Sequence, residues 1–189
     1  MICVQNIKGL CKDCEASRGG IVEVYVANYG DYTPLPRMTE TGDTGVVSEI
    51  TGFTKVNNEA SWYKYEFRKG TGSMTSTLNV DAANGVNYVG TELVLQFSKM
   101  ETRKRIEMAA LAVGELIVIV KDANGKYWFL GYDEAVTASA GSGQTGQAIG
   151  DGNFYNITLL DNANTFPFEV LASVVEELGA SCPEERTNG

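Results

Sequence analysis

Apolar and polar residues alternate along much of this chain. Trp62-Tyr63-Lys64-Tyr65-Glu66-Phe67-Arg68 is the clearest case, with Tyr63, Tyr65 and Phe67 on one side and Trp62, Lys64, Glu66 and Arg68 on the other. Strict period-two alternation is the signature of a half-buried β-strand. The same period predicts a strand from Ile21 to Val26 with Val22, Val24 and Val26 sharing a face, and strands over Val46 to Phe53 and Ser61 to Arg68 on either side of Asn57-Asn58. Met74 to Val80 places Met74, Ser76, Leu78 and Val80 together, and Tyr88 to Ser98 turns Val89, Thr91, Leu93, Leu95 and Phe97 inward. Between these two strands, Asn84-Gly85 supplies the positive φ of a tight hairpin.

The pattern changes once. From Glu101 to Val113 the apolar positions Ile106, Ala109, Ala110 and Val113 recur at i, i+3, i+4 and i+7, and Gly114 follows, which predicts one amphipathic helix of about three turns. Leu116 to Val120 is a continuous apolar run, expected for a strand covered on both faces. It pairs by prediction with Tyr127 to Tyr132 through Asp122-Ala123-Asn124-Gly125, a second hairpin turn. Phe154 to Leu160 alternates again, Phe166 to Ala172 is the last expected strand, and Leu171, Val174, Val175 and Leu178 have helical spacing. Two segments read as long loops: residues 28 to 45, with Gly30, Pro34, Pro36 and Gly42, and residues 139 to 152, with Gly141, Gly143, Gly146, Gly150 and Gly152. The expected organisation is an N-terminal arm over 1–20, a β domain over 21–172 with its helix at about 101–113, and an acidic C-terminal tail over 173–189.

A chain of 189 residues that is 43% hydrophobic and 21% charged has the make-up of one globular domain. Its strand-like apolar run, the five residues Leu116 to Val120, and every other apolar run fall far short of the roughly 20 needed to span a bilayer. The first residues lack a basic segment followed by an apolar core, so cytoplasmic synthesis is the expectation. With 15 Lys and Arg against 24 Asp and Glu, the net charge is −9, the wrong sign for a protein that grips phosphate backbones.

Candidate chemistry is sparse. The chain has no His, which removes the commonest general base and metal ligand together with the Ser-His-Asp and Cys-His arrangements. Cys11-Lys12-Asp13-Cys14 has the spacing of half a zinc site, and Cys3 and Cys182 could complete four thiolates. There is no second such pair, so Cys11 and Cys14 stand as candidate ligands only, and reduced thiols with no cofactor are expected. Gly141-Ser142-Gly143-Gln144-Thr145-Gly146 matches the letters of a dinucleotide-binding loop, but no helix follows to receive a pyrophosphate. Carboxylates such as Asp133-Glu134, or Asp122 with Asp151, could serve a glycosidase-like site only if they faced each other. Their neighbours mark them as turn formers. Arg103, Lys104 and Arg105, with Lys99 nearby, form the one basic cluster.

Several phrases together carry a family likeness. Gly19-Gly20-Ile21 before Val24-Tyr25-Val26-Ala27-Asn28-Tyr29, then Tyr65 to Ser73, then Gly125-Lys126-Tyr127-Trp128-Phe129-Leu130-Gly131-Tyr132, and finally the Gly141 to Asp151 segment resemble structural proteins of tailed bacteriophages and prophages of gut Bacteroidetes, including crAss-like phages. The resemblance runs in order over roughly residues 10 to 170. It implies a β-sandwich or small barrel with one flanking helix and extended arms and loops, and a non-enzymatic virion protein made in the host bacterial cytoplasm. A tail tube or tail-ring subunit is the first expectation, a head-associated or head-to-tail joining protein the second. The implied partners are copies of itself in a ring, six-fold or a multiple, other virion proteins, and DNA that passes without specific binding. Arg103, Lys104, Arg105, Gly141, Gly143 and Gly146 are the expected subunit-interface residues. From another class, a carbohydrate-binding or adhesion module would use Trp62, Tyr63, Tyr65, Tyr127 and Trp128, and an enzyme ranks third.

Overall fold

A computed structural model describes residues 16–39, 46–180 and 182. Cys11 and Cys14 lie outside the described residues, and Cys182 is exposed. Among the described residues eleven strands form two sheets. The larger contains β1 (Ile21–Asn28), β2 (Tyr32–Thr39), β3 (Val46–Lys55), β4 (Tyr63–Glu66), β7 (Leu116–Asp122), β8 (Tyr127–Leu130) and β11 (Phe168–Val170), in the order β2-β3-β11-β8-β7-β1-β4. The smaller contains β5 (Gly72–Asp81), β6 (Val86–Ser98), β9 (Thr137–Gln144) and β10 (Phe154–Ala163), in the order β5-β6-β10-β9. Helix α1 (Thr102–Val113) links the sheets, and a short α2 (Ala172–Glu177) follows β11. The chain is a β-sandwich with a flanking helix, and among the described residues no helix is long and apolar enough to cross a membrane.

β7 explains why two layers form. Its run Leu116-Ile117-Val118-Ile119-Val120 is buried throughout, so both faces of the larger sheet need a cover. Leu116, Val118 and Val120 join Ile21, Val24 and Val26 of β1 against Leu93 and Leu95 of β6 and Ile157 and Leu159 of β10, which is the seam between the sheets. Ile117 and Ile119 face the other way, into a second core built from Tyr25, Ile50, Trp62, Tyr127, Phe129 and Val170 and closed by Val174 and Val175 of α2. α2 thus belongs to the body, so the domain runs past 172 and takes in the first part of what the sequence assigns to an acidic tail.

Both predicted hairpin turns are present, with Gly85 at φ 66° and Gly125 at φ 85°. Asp122 organises the second, its Oδ1 accepting from the backbone N–H groups of Asn124 (2.8 Å) and Lys126 (2.9 Å). Its Oδ2 accepts from the Trp128 indole N–H at 3.1 Å. Burial alone would raise the Asp122 pKa, but the hydrogen bonds from Trp128, Lys126 and Asn124 outweigh it and hold the carboxyl below its ordinary value.

Four expectations need correction. In β1 the register shifts between Ile21 and Glu23, so Ile21, not Val22, joins Val24 and Val26 inside and Val22 is 41% exposed; a β-bulge exchanges the faces of the residues on its two sides. The 28–45 loop contains β2, antiparallel to β3, with register shifts around Pro34 and Pro36. Proline lacks the N–H of an inner ladder, but β2 is an edge strand, where that loss is tolerated. The 139–152 loop begins later than predicted, because Gly141 and Gly143 lie within β9, opposite Ile157 and Tyr155 of β10. A Cβ at Gly143 would stand 2.9 Å from the Tyr155 ring, so glycine here lets an aromatic from the neighbouring strand lie across the edge. In the 61–68 strand the alternation holds only in part, since Tyr65 and Phe67 face the seam while Trp62 is buried in the other core and Tyr63 is 54% exposed.

Candidate self-association surface

Helix α1 lies where the sequence predicts it but shows the opposite face to the core. Leu111 is its buried residue and Met108 packs beside it, whereas Ile106 is 55% exposed, Val113 is 86% exposed, and Ala109 and Ala110 are exposed. The periodic stripe that looks like a core face points to solvent. Two tethers set this rotation. Glu107 Oε2 accepts from the Tyr65 hydroxyl of β4 at 2.9 Å; burial, with the charge and hydrogen bond of Glu107, keeps that phenol neutral well above its ordinary range. Lys104 Nζ donates to the Ser98 carbonyl at 2.6 Å and pairs with Glu101 at 3.0 Å.

The predicted basic cluster therefore divides. Lys104 is spent locally at the end of β6. Arg105 is exposed and forms no ion pair among the described residues, and Arg103 is exposed on the same helix. Gly141 and Gly143 are elsewhere, on β9, and Gly146 has φ 74° in the turn beyond it, where Asp151 accepts from the backbone N–H groups of Gln147 and Ala148 at 2.7 Å each. These two N–H groups lower the Asp151 pKa. α1 packs against β9 and β10, so the helix and the glycine strand flank one side of the small sheet.

Among the described residues that sheet has two open edges. β5 and β9 each pair on one side only, and neither Gly72-Ser-Met-Thr-Ser-Thr-Leu-Asn-Val-Asp81 nor Thr137-Ala-Ser-Ala-Gly-Ser-Gly-Gln144 contains Lys, Arg or Pro. Long edges without such residues are templates for pairing with another strand, and monomeric proteins ordinarily block them. The edges of the large sheet differ, because β2 carries Pro34, Pro36 and Arg37, and β4 has only four residues. No Lys or Arg occurs on any strand of the small sheet. Its outward face, set by the register, presents Ser73, Thr75, Thr77, Glu92, Gln96, Asn156, Thr158 and Ser142, with the apolar Val94 and Leu160 among them.

The remaining candidates do not converge on a reaction centre. Trp62 and Tyr127 are buried at 3% and 8% exposure, and Trp128 is tied to Asp122, so the aromatics singled out for sugar binding share no exposed platform. A cavity of about 290 Å³ between β4 and α1 is walled by Tyr63, Tyr65, Phe97 and Met108, with Glu101 and Lys104, already paired to each other, at its rim. No group of three or more acids or cysteines able to hold a metal occurs among the described residues.

Asp161 is the carboxylate that sequence reasoning missed. It is 3% exposed on β10 and accepts from the Gly131 backbone N–H at 3.3 Å. Burial pushes its pKa up to about 6, opposed by the Gly131 hydrogen bond and reinforced by Asp133 and Glu134. With the folded value above the unfolded one of about 3.9, its contribution favours folding at low pH and is lost as pH rises through about 6. Asp161→Asn keeps an acceptor for Gly131 and is expected to stabilise the protein by about 2 kcal/mol at pH 7.5, with the gain vanishing below pH 4. Urea titrations at the two pH values test this, and an equal difference at both would refute it.

No protein-family model and no curated protein sequence matches this chain. Its surfaces carry the functional argument.

Proposed function

We propose that the protein is a non-enzymatic structural subunit that assembles with copies of itself into a ring or tube, as in the tail of a tailed bacteriophage, and encloses a conduit for DNA. The observation that carries this reading is the small sheet, with two unblocked edges and no positive charge on its strands. The sheet is antiparallel throughout, so β5 and β9 run in opposite directions, and a rotation that sets β9 of one copy beside β5 of the next continues the antiparallel ladder. Repeated around an axis by a rotation that divides the full turn, that step closes into a ring, and closure removes both edges of the small sheet. A lumen faced with Ser, Thr, Asn, Gln and Glu92 together with the apolar Val94 and Leu160 offers phosphates no cationic partner, so a duplex slides without adhering. The acidic balance of the whole chain supports the same conclusion.

Negative-stain images and light scattering of the purified full chain provide the test. Closed rings or stacked tubes of one subunit type are expected. A protein that stays strictly monomeric at high concentration overturns the reading.

A further inference from the structure

The β5–β6 hairpin is longer than the sheet that carries it. β10 pairs with β6 only as far as Val89, opposite Ala163, while Val86, Asn87 and Tyr88 continue against Asp81, Val80 and Asn79 of β5. This end is two strands wide and apolar on both sides. Leu78 (49% exposed) and Val80 (65%) occupy one face, Val86 (42%) and Tyr88 (39%) the other. Solvent-facing apolar residues gathered at one place mark a contact surface, whereas scattered ones do not. A second gathering on a regular element is the Ile106, Ala109, Ala110 and Val113 stripe of α1.

The two surfaces are complementary and lie on opposite flanks. From Thr71 to Ser98 the only charged residues are Asp81 and Glu92, whereas α1 carries Arg103, Lys104 and Arg105 against Glu107 alone, 3 − 1 = +2. The hairpin continues the β5 edge, and α1 packs beside the β9 edge. They also share one end of the sandwich. Val113 ends α1 three residues before Leu116, which bridges to Val136 at the start of β9, and β9 begins at the end of the sheet from which the hairpin projects.

We propose that the projecting end of the β5–β6 hairpin in one copy docks on the exposed α1 stripe of the next, in a head-to-tail contact. The inference rests on the ring reading and deepens it. When β5 meets the neighbour's β9, the hairpin overshoots that strand and reaches the helix beside it. Leu78 and Val80, on the sandwich-side face of β5 that they share with Met74, cover Ile106 and Val113, and Asp81 comes within range of Arg105. Because hairpin and helix are different surfaces, the contact is heterologous, the kind that propagates around an axis and does not stop at a dimer.

The test uses Val80→Asp and Val113→Asp in the full chain, both at exposed positions, with Leu78→Asp and Ile106→Asp as a second pair should either fail to match the wild-type thermal melt. Each single variant is expected to lose its rings, with association weakened at least about a hundredfold. An equimolar mixture is expected to give a 1:1 heterodimer, because Val113→Asp keeps an intact hairpin and Val80→Asp an intact helix, which allows one sound contact per pair. Sedimentation velocity with one variant labelled reads this out. Wild-type-like rings from either variant, or a mixture that stays monomeric, overturn the pairing while wild-type rings leave the assembly reading standing. A wild-type protein that forms no rings removes both.

Discussion

A variant carrying Ser73→Lys and Thr77→Lys is expected to remain monomeric where the wild-type chain forms rings, with association at least about a hundredfold weaker, or about 3 kcal/mol per contact. Both side chains are exposed on β5 and face outward, opposite Val94 and Gly90 of β6. The fold therefore has little to lose, since surface changes of this kind usually shift stability by less than about 0.5 kcal/mol. Lysine on an edge strand opposes pairing because a docking strand must strip water from an ammonium for which it provides no acceptor. The facing residues of β9 would be Ala140 and Ser142 and their neighbours, none of them acidic. Size-exclusion chromatography with light scattering, beside a thermal melt, separates the two effects. Rings that persist in this variant would show that the β5 edge is not the joint.

Phe129→Ala is expected to cost about 3 to 5 kcal/mol, a large part of the roughly 5 to 15 kcal/mol that holds a typical domain folded. Phe129 is 1% exposed, faces Ile119 on β7 and Phe168 on β11, and has its ring 5.3 Å from that of Phe53. It is the largest of the side chains buried below 2% exposure, and its removal leaves a cavity walled by β-strands that cannot close around it independently. Urea unfolding measures the loss, with Ile149→Ala as the control, since Ile149 is fully exposed in the turn after β9. A loss under about 1 kcal/mol would mean that the second core does not support the large sheet as described.

Much of the strand map was legible because its signals are local. The alternation in β6 named Val89, Thr91, Leu93 and Leu95 as inward residues, and all four are buried. The buried polar member has its partner too, since the Thr91 and Ser76 hydroxyls lie 2.8 Å apart on facing strands. The unbroken apolar run of β7 announced a strand with two covered faces. The misses share a cause. β9 contains Ala, Ser and Gly where a strand usually shows β-branched or aromatic residues, so nothing local marks it; its order comes from the ladder to β10 and from Tyr155 lying over Gly143. β2 was concealed by two prolines that only an edge position can accommodate.

The surface put forward for assembly was less legible than the fold. Arg103, Lys104 and Arg105 and the glycines of β9 do lie on one flank of the small sheet, but the roles within the cluster differ, because Lys104 is engaged by Ser98 and Glu101. The stripe on α1 was visible as a pattern and misjudged as to side. A helix with apolar residues at 106, 109, 110 and 113 and also at 108 and 111 offers two faces of similar character, and periodicity does not rank them. The tether from Glu107 to Tyr65, 42 positions away in the chain, does so.

By itself the sequence determined the extended segments other than β2 and β9, the two hairpin turns and the position of the long helix, since these follow from side-chain period and from residues such as Gly85 and Gly125 that accept positive φ. It also determined that the small sheet would lack cations, because none is encoded in those strands. The tertiary structure decided which side of each element is covered, which strands end as edges, and that Asp161 is buried. Burial belongs to pairs of segments remote in the chain: β11 becomes a strand between β3 and β8, and the α1 stripe is left bare because the sandwich is already filled by Leu111 and Met108.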